Sequence, residues 1–265
     1  LFQRKNHSGG KIMNTMKDKI FIRPSIFDSF KEVVCAVSLK YSPDSKPPFY
    51  FNQSFSVGDN PENVKMNRKV LFGELKINPD RVTYQRQIHS ANIHYSEVPY
   101  FFRDSDALYT DKKNIYLGIS IADCVPIFIY SPFVKAVAAV HSGWKGTRSR
   151  ILTKTINTLR ERYHLHPEDL FAYIGPAISA EHYEVGKFVY DQFPAESGIE
   201  RDGKFFIDLA KDNYNQLLNA GMPERNIERS EFCTYRDAEL FHSYRRDGDN
   251  SGRMLGIIGL KPDSF

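Results

Sequence analysis

Cysteine, tryptophan, long apolar runs and charge of one sign are all scarce in this sequence, and each shortage removes a class of protein. The three cysteines, Cys35, Cys124 and Cys233, are an odd number scattered over the chain. They make no disulfide framework and point to a reducing, cytoplasmic location. No apolar stretch reaches the roughly 18 residues that a membrane-crossing helix needs, and Leu1 to Gly10 lacks the apolar core of a secretion signal. Lysine and arginine, 36 in all, are interspersed with 32 aspartates and glutamates, so the concentrated basic face that nucleic acids require is missing. No Pro/Gly/Ser linker and no internal repeat divides the chain. Residues 1–15, with Leu-Phe-Gln and Ser-Gly-Gly among them, read as a tag remnant or a disordered start, and residues 16–265 as a single domain.

The apolar pattern predicts an α/β (α+β) fold, a layered sandwich of mixed sheets flanked by helices. Lys31 to Leu39 is β-branched and apolar enough for a strand. The turn Ser56 to Pro61 feeds a helix in which Val64, Arg68, Leu71 and Leu75 recur at helical spacing, with Glu62 in the first turn, where the dipole favours it. Arg81 to Ile88 reads as a strand carrying His89 at its far end. Ile115 to Ile121, Ile127 to Tyr130 and Lys135 to Val140 are continuous apolar runs, the mark of strands covered on both faces. Ser149 to Tyr163 and Leu209 to Ala220 have helical periodicity, the second capped by Asp208 and stopped by Gly221. Phe171 to Ile174, Phe205 to Ile207 and Met254 to Leu260 are further strands.

Three polar segments interrupt or end these runs: Gln87-Ile88-His89, Ala122-Asp123-Cys124-Val125-Pro126 and His141-Ser142-Gly143-Trp144-Lys145-Gly146. Strand ends are where a rigid sheet presents its site residues. The imidazoles of His89 and His141 and the thiol of Cys124 match a catalytic zinc site, which commonly takes three protein ligands and leaves a fourth position open. Singly, each has a plainer explanation, since a buried cysteine packs as a small hydrophobe and a core histidine bonds a carbonyl. Their separations of 35 and 17 residues fit no finger or ribbon pattern.

These segments, with Asp106-Ala107-Leu108-Tyr109-Thr110, Tyr173-Ile174-Gly175-Pro176-Ala177-Ile178, Tyr183-Glu184-Val185-Gly186 and Ser243-Tyr244-Arg245-Arg246-Asp247-Gly248, resemble the YfiH-like laccase-domain family. That family is described both as polyphenol oxidoreductases and as purine nucleoside phosphorylases. The resemblance runs in order from about Val57 to Leu260. It implies a layered α/β catalytic domain with zinc on two histidines and one cysteine, which fall on His89, Cys124 and His141. It also implies phosphorolysis of adenosine, inosine and S-methyl-5′-thioadenosine and deamination of adenosine. The partners are then purine nucleosides and phosphate. Two departures from the family pattern are visible: Ser90 stands where glycine is usual, and Ser142 where alanine is usual.

Zinc on such a donor set, with Cys124 at its centre, lowers the pKa of bound water toward neutrality. Deamination also needs a group that moves protons, and Asp123 is the nearest acid in sequence, either for that task or as the cap of a turn or the orienting partner of a ligand histidine. In a regular strand residues 123 and 124 face opposite ways, so Asp123 helps only if the chain turns here, as Val125-Pro126 allows. Phosphate calls for cationic donors, and Arg68, Lys145, Arg245 and Arg246 are the candidates; the last two are alternatively a solvated face or a pair with Asp247. Trp144 either stacks on a purine or fills core. His94, His164, His166, His182 and His242 match no ligand template and read as surface or capping groups. The first alternative function is a copper-dependent polyphenol oxidoreductase. Eight histidines are too few for a four-copper laccase, yet one copper suits the trio, whose nitrogen and sulfur donors favour copper over zinc. A metal-free hydrolase with Cys124 as nucleophile and His141 as base and a binding protein with structural zinc are the others.

Overall fold

Residues alternate along the central strands between two separate cores, and this alternation layers the molecule. Val33, Cys35 and Val37 enter one core while Val34 and Ala36, from the same strand, enter another, the period of two that an extended chain imposes. The structure, a computed structural model, describes residues 19–263; the expected start at 1–15 lies outside them. Its elements are β1 (Phe21–Ile22), β2 (Val33–Ser38), α1 (Pro61–Leu75), β3 (Val82–Gln85), β4 (Ile93–Tyr95), β5 (Phe101–Phe102), β6 (Ala107–Thr110), β7 (Tyr116–Ile121), β8 (Val125–Ser131), β9 (Ala136–Ser142), α2 (Trp144–Arg148), α3 (Ile151–Tyr163), β10 (Phe171–Ile174), β11 (Glu184–Val185), α4 (Lys187–Tyr190), β12 (Gly198–Arg201), β13 (Lys204–Ile207), α5 (Leu209–Asn219), β14 (Ile227–Arg229), α6 (Tyr244–Asp247) and β15 (Met254–Leu260).

Two six-stranded sheets, ordered β1-β2-β15-β7-β3-β5 and β14-β10-β8-β9-β6-β4, stack face to face, and a small sheet β11-β13-β12 stands beside them. Both large sheets are mixed: β3 runs parallel to β7, and β4 to β6, among antiparallel neighbours. Between them Leu117, Ile119 and Ile121 of β7 meet Phe128 and Tyr130 of β8 and Val137 and Ala139 of β9. The outer face of the second sheet is covered by α3 and α5 through Ile151, Ile156, Leu159, Leu209 and Leu217. The outer face of the first is covered by Leu71, Phe72 and Leu75 of α1. The result is the expected sandwich of sheets between helices.

Local chemistry sets the ends of several elements. Asn60 caps α1 by accepting from the Glu62 N–H, with Pro61 at the first helical position, and Asp208 caps α5 by accepting from Lys211 N–H at 2.8 Å. Two expectations shift. The helix expected from Ser149 is preceded by the short α2, and the two are separated at Arg150, whose backbone is left-handed (φ 59°). The strand expected to run to Ile88 stops at Gln85, because the chain must bend to bring His89 toward the other two donors.

Candidate metal centre

The three donors come from one end of the stacked sheets. His141 lies within β9, opposite Pro126 of β8; Cys124 closes the turn just before β8; His89 occupies a bend after β3 with a left-handed backbone (φ 58°). Their ligand atoms all lie within 4.8 Å of one another, and the two imidazole centroids are 5.0 Å apart. His141 is buried, Cys124 half-buried and His89 exposed, so the group is open on one side. Gly143 makes this convergence possible: a Cβ there would lie 2.7 Å from His89 Nδ1 and 2.9 Å from Cys124 Sγ, closer than real Cβ atoms come. Two imidazoles and a thiol at this spacing fit a zinc or copper ion with a free coordination position.

Asp106 stands behind both histidines. Its fully buried carboxylate meets His141 Nδ1 at 2.9 Å and accepts the backbone N–H groups of Ile88, His89 and Ser90. Burial would raise this carboxyl, but the hydrogen bonds from His141 and Ser90 hold it below the ordinary carboxylate range. Burial would likewise lower His141, yet the adjacent Cys124 and Asp106 push it up to about 9. His89 moves the other way, lowered by burial and by the nearby His141 and Lys145. Asp106 belongs to a quoted motif, but spacing alone carries no sign that its carboxylate reaches both histidines.

The donors sit on the wall of a cavity of about 830 Å³ whose mouth carries the exposed rings of Phe55, Phe101 and Tyr244 and whose lining includes Arg68, Arg86 and Arg253. Arg68 lies between two rings, 4.6 Å from Phe55 and 4.3 Å from Tyr84. Its Nε donates to Gln53 O at 2.8 Å, and among the described residues neither Nη group has a protein acceptor. Arg253 donates through Nη1 to Ser251 O and Gly252 O. Burial lowers both guanidinium groups from their ordinary value. Arg253 has no sequence signal; it follows an irregular Ser-Gly pair.

The other expected site residues are placed differently. Asp123 does sit at a turn (φ 85°), but that turn lies at residues 122–124, while Pro126 belongs to β8. The buried carboxylate is not part of the cavity lining and accepts from Thr234 Oγ1 and Arg245 N–H, each at 2.7 Å. Both oxygens thus hold groups from loops more than a hundred residues away, as expected of the turn-capping alternative. Arg246 uses all five N–H donors within the protein, on Asp247 and on the carbonyls of Thr234, Tyr235 and Phe241, so none is left for phosphate. Arg245 is exposed, donates to Glu184 O and lies over the Tyr183 ring. Lys145 is exposed, 5.6 Å from the centroid of Trp144, and neither residue lines the cavity. His242 is fully buried rather than a surface group, and among the described residues neither of its ring nitrogens has a partner.

Both departures from the family pattern are accounted for by hydrogen bonds. Ser90 Oγ donates to Asp106 Oδ2 at 2.7 Å. Ser142 Oγ faces a buried network behind the sheet, 2.9 Å from Thr147 Oγ1 and 2.9 Å from Asn213 Oδ1.

A three-donor metal centre opening into a cavity at the end of two stacked sheets defines an α/β protein with a candidate catalytic metal site. A family model described as multi-copper polyphenol oxidoreductase laccase matches residues 34–261, and the chain belongs to that family. Among the described residues there is a single three-donor group that could hold a metal. Purine nucleoside phosphorylase YlmD of Geobacillus stearothermophilus is 34% identical over 255 residues, covering 88% of this chain and 92% of the relative. The purine nucleoside phosphorylase of Deinococcus radiodurans is 36% identical over 206 residues, covering 76% and 79%. The crystal structure of Bacillus licheniformis hypothetical protein YfiH superposes with a TM-score of 0.85 at 30% identity, covering 93% of this chain and 98% of that one.

Proposed function

We propose that this chain is a zinc-dependent purine nucleoside phosphorylase that cleaves adenosine, inosine and S-methyl-5′-thioadenosine and also deaminates adenosine in the cytoplasm. One observation carries the phosphorylase reading: a single cavity holds the His89, Cys124 and His141 donors together with the guanidinium groups of Arg68 and Arg253. Related chains named as purine nucleoside phosphorylases support it.

Phosphate is held by Arg68 and Arg253, whose charge-assisted bonds strengthen away from bulk water. The aromatic mouth of the cavity takes the base by stacking. A phosphate oxygen then bonds to C1′ of the ribose as the C1′–N9 bond breaks, and the electron pair leaves with the base, which takes a proton from solvent. His89, Cys124 and His141 would hold the zinc, which would supply Lewis-acid stabilisation of developing negative charge.

The test uses protein stripped with a chelator and reloaded with zinc. Release of free base from adenosine only when phosphate is present, together with inosine formation, is expected; base release that is indifferent to phosphate and to the metal refutes the reading. A copper-dependent polyphenol oxidoreductase is the second reading, favoured by the family description and by the exposed edge at His89. Copper-loaded protein that oxidises a phenol, while zinc-loaded protein leaves nucleosides intact, would select it.

A further inference from the structure

One carboxylate serves both histidines of the candidate centre. Oδ1 of Asp106 lies 2.9 Å from His141 Nδ1 and accepts the His89 backbone N–H at 3.1 Å. Oδ2 accepts from Ser90 N–H at 2.6 Å, Ser90 Oγ at 2.7 Å and Ile88 N–H at 3.2 Å. In the reverse direction the Asp106 carbonyl accepts the His141 backbone N–H at 2.8 Å. An ionised carboxylate only accepts, so the His141 nitrogen facing it carries a proton, and Nε2 is the nitrogen left to bind a metal. The left-handed backbone at His89 is unfavourable for a residue with a Cβ, and three consecutive N–H groups converging on one carboxylate hold it there.

Resting on the reading of the trio as a metal site, we infer that Asp106 is the positioning residue of that site: it sets the His141 tautomer and locks the bend that carries His89. The His141 ring and the backbone of His89 are thereby placed before any metal binds. An amide at this position turns NH₂ toward either His141 Nδ1–H or the Ser90 N–H, and donor then faces donor.

Chelator-stripped wild type, Asp106→Asn and Ser90→Ala are titrated with cobalt(II), whose near-ultraviolet and visible bands report thiolate coordination and ligand geometry. Wild type is expected to show a thiolate charge-transfer band and tetrahedral visible bands. Asp106→Asn should bind roughly 10–100-fold more weakly, the usual loss when the partner of a ligand histidine is removed, with altered visible bands. Ser90→Ala removes the Ser90 hydroxyl bond but leaves His141 held, and should bind nearly as wild type does. Equal affinity and identical spectra for wild type and Asp106→Asn overturn the inference and leave the metal reading standing. Wild type that gives no cobalt band removes the metal reading, and the inference with it. If Asp106→Asn does not fold, nitrogen-resolved histidine spectra of zinc-loaded wild type decide: Nδ1–H on His141 with Nε2 as ligand is expected, and the opposite tautomer overturns the inference.

Discussion

Oδ2 of Asp123 accepts a 2.7 Å hydrogen bond from the backbone N–H of Arg245, 122 residues further along the chain. With Thr234 Oγ1 on the other oxygen, this buried carboxylate joins the turn before β8 to the loops around α6. Asp123→Asn keeps an acceptor for the Arg245 N–H, and its NH₂ can donate to the Thr234 hydroxyl; asparagine also tolerates a left-handed backbone. This variant should therefore turn over nucleosides at close to the wild-type rate. Asp123→Ala leaves a buried N–H unpaired and should cost about 1–3 kcal/mol in urea unfolding. Full loss of deaminase in a well-folded Asp123→Asn would instead assign it the proton-transfer role.

Arg68 and Arg253 separate from Arg246 by what their donors meet. Truncating either cavity arginine to alanine is expected to raise the KM for phosphate by about 10–100-fold, the equivalent of about 1.5–3 kcal/mol for a charge-assisted bond, with the nucleoside KM little changed. Arg246→Ala should leave the phosphate KM alone and lower the melting temperature, since it frees three carbonyls and Asp247. Steady-state kinetics at varied phosphate, beside a thermal melt, would show a reversed pattern if Arg246 were the anion ligand.

At Gly143 the backbone is ordinary (φ −73°), so alanine is excluded by space and not by conformation. Its methyl would push His89 and Cys124 apart. Gly143→Ala is expected to fold with near-normal apo stability and to retain little metal after gel filtration, measured as metal per chain. Full metal content in this variant would mean that the donors do not close on one ion.

His242 couples stability to acid. Burial, followed by the charges of Lys40, Arg253 and Arg246, pushes its imidazole down to about 3, against roughly 6.5 in the unfolded chain. The unfolded state therefore binds a proton that the folded state refuses, so this contribution to stability is complete above about pH 6.5 and is lost as pH falls toward 3. His242→Leu should match wild type within about 1 kcal/mol at pH 7, because it also removes two unpartnered nitrogens. Between pH 6.5 and 4 its urea midpoint should fall less than that of wild type. Parallel acid profiles would show that His242 does not drive the acid loss.

Long elements were legible before any coordinates, and the short ones were not. Phe171–Ile174 and Met254–Leu260 agree with the structure residue for residue, since an apolar run between turn residues leaves one arrangement that buries it. β5 and β11 span two residues each; nothing so short has a period to read, and only the partner strand makes it extended. The helix-cap roles of Asn60 and Asp208 are local, whereas the capping of residue 123 depends on groups more than a hundred positions away.

By itself the sequence determined the layered class of the fold, from two-sided apolar strands and amphipathic helices, and it named His89, Cys124 and His141 as chemically suited donors. Only the tertiary structure decided that these three meet, that Gly143 leaves room for them and that Asp106 stands behind two of them. The same holds for the arginines: Arg68, Arg86 and Arg253 line the cavity, while Arg246 is bound up in the fold. The reason is physical. Periodicity reports which face of an element is buried, but the direction and partners of a polar side chain are set by groups that folding brings in from distant parts of the chain.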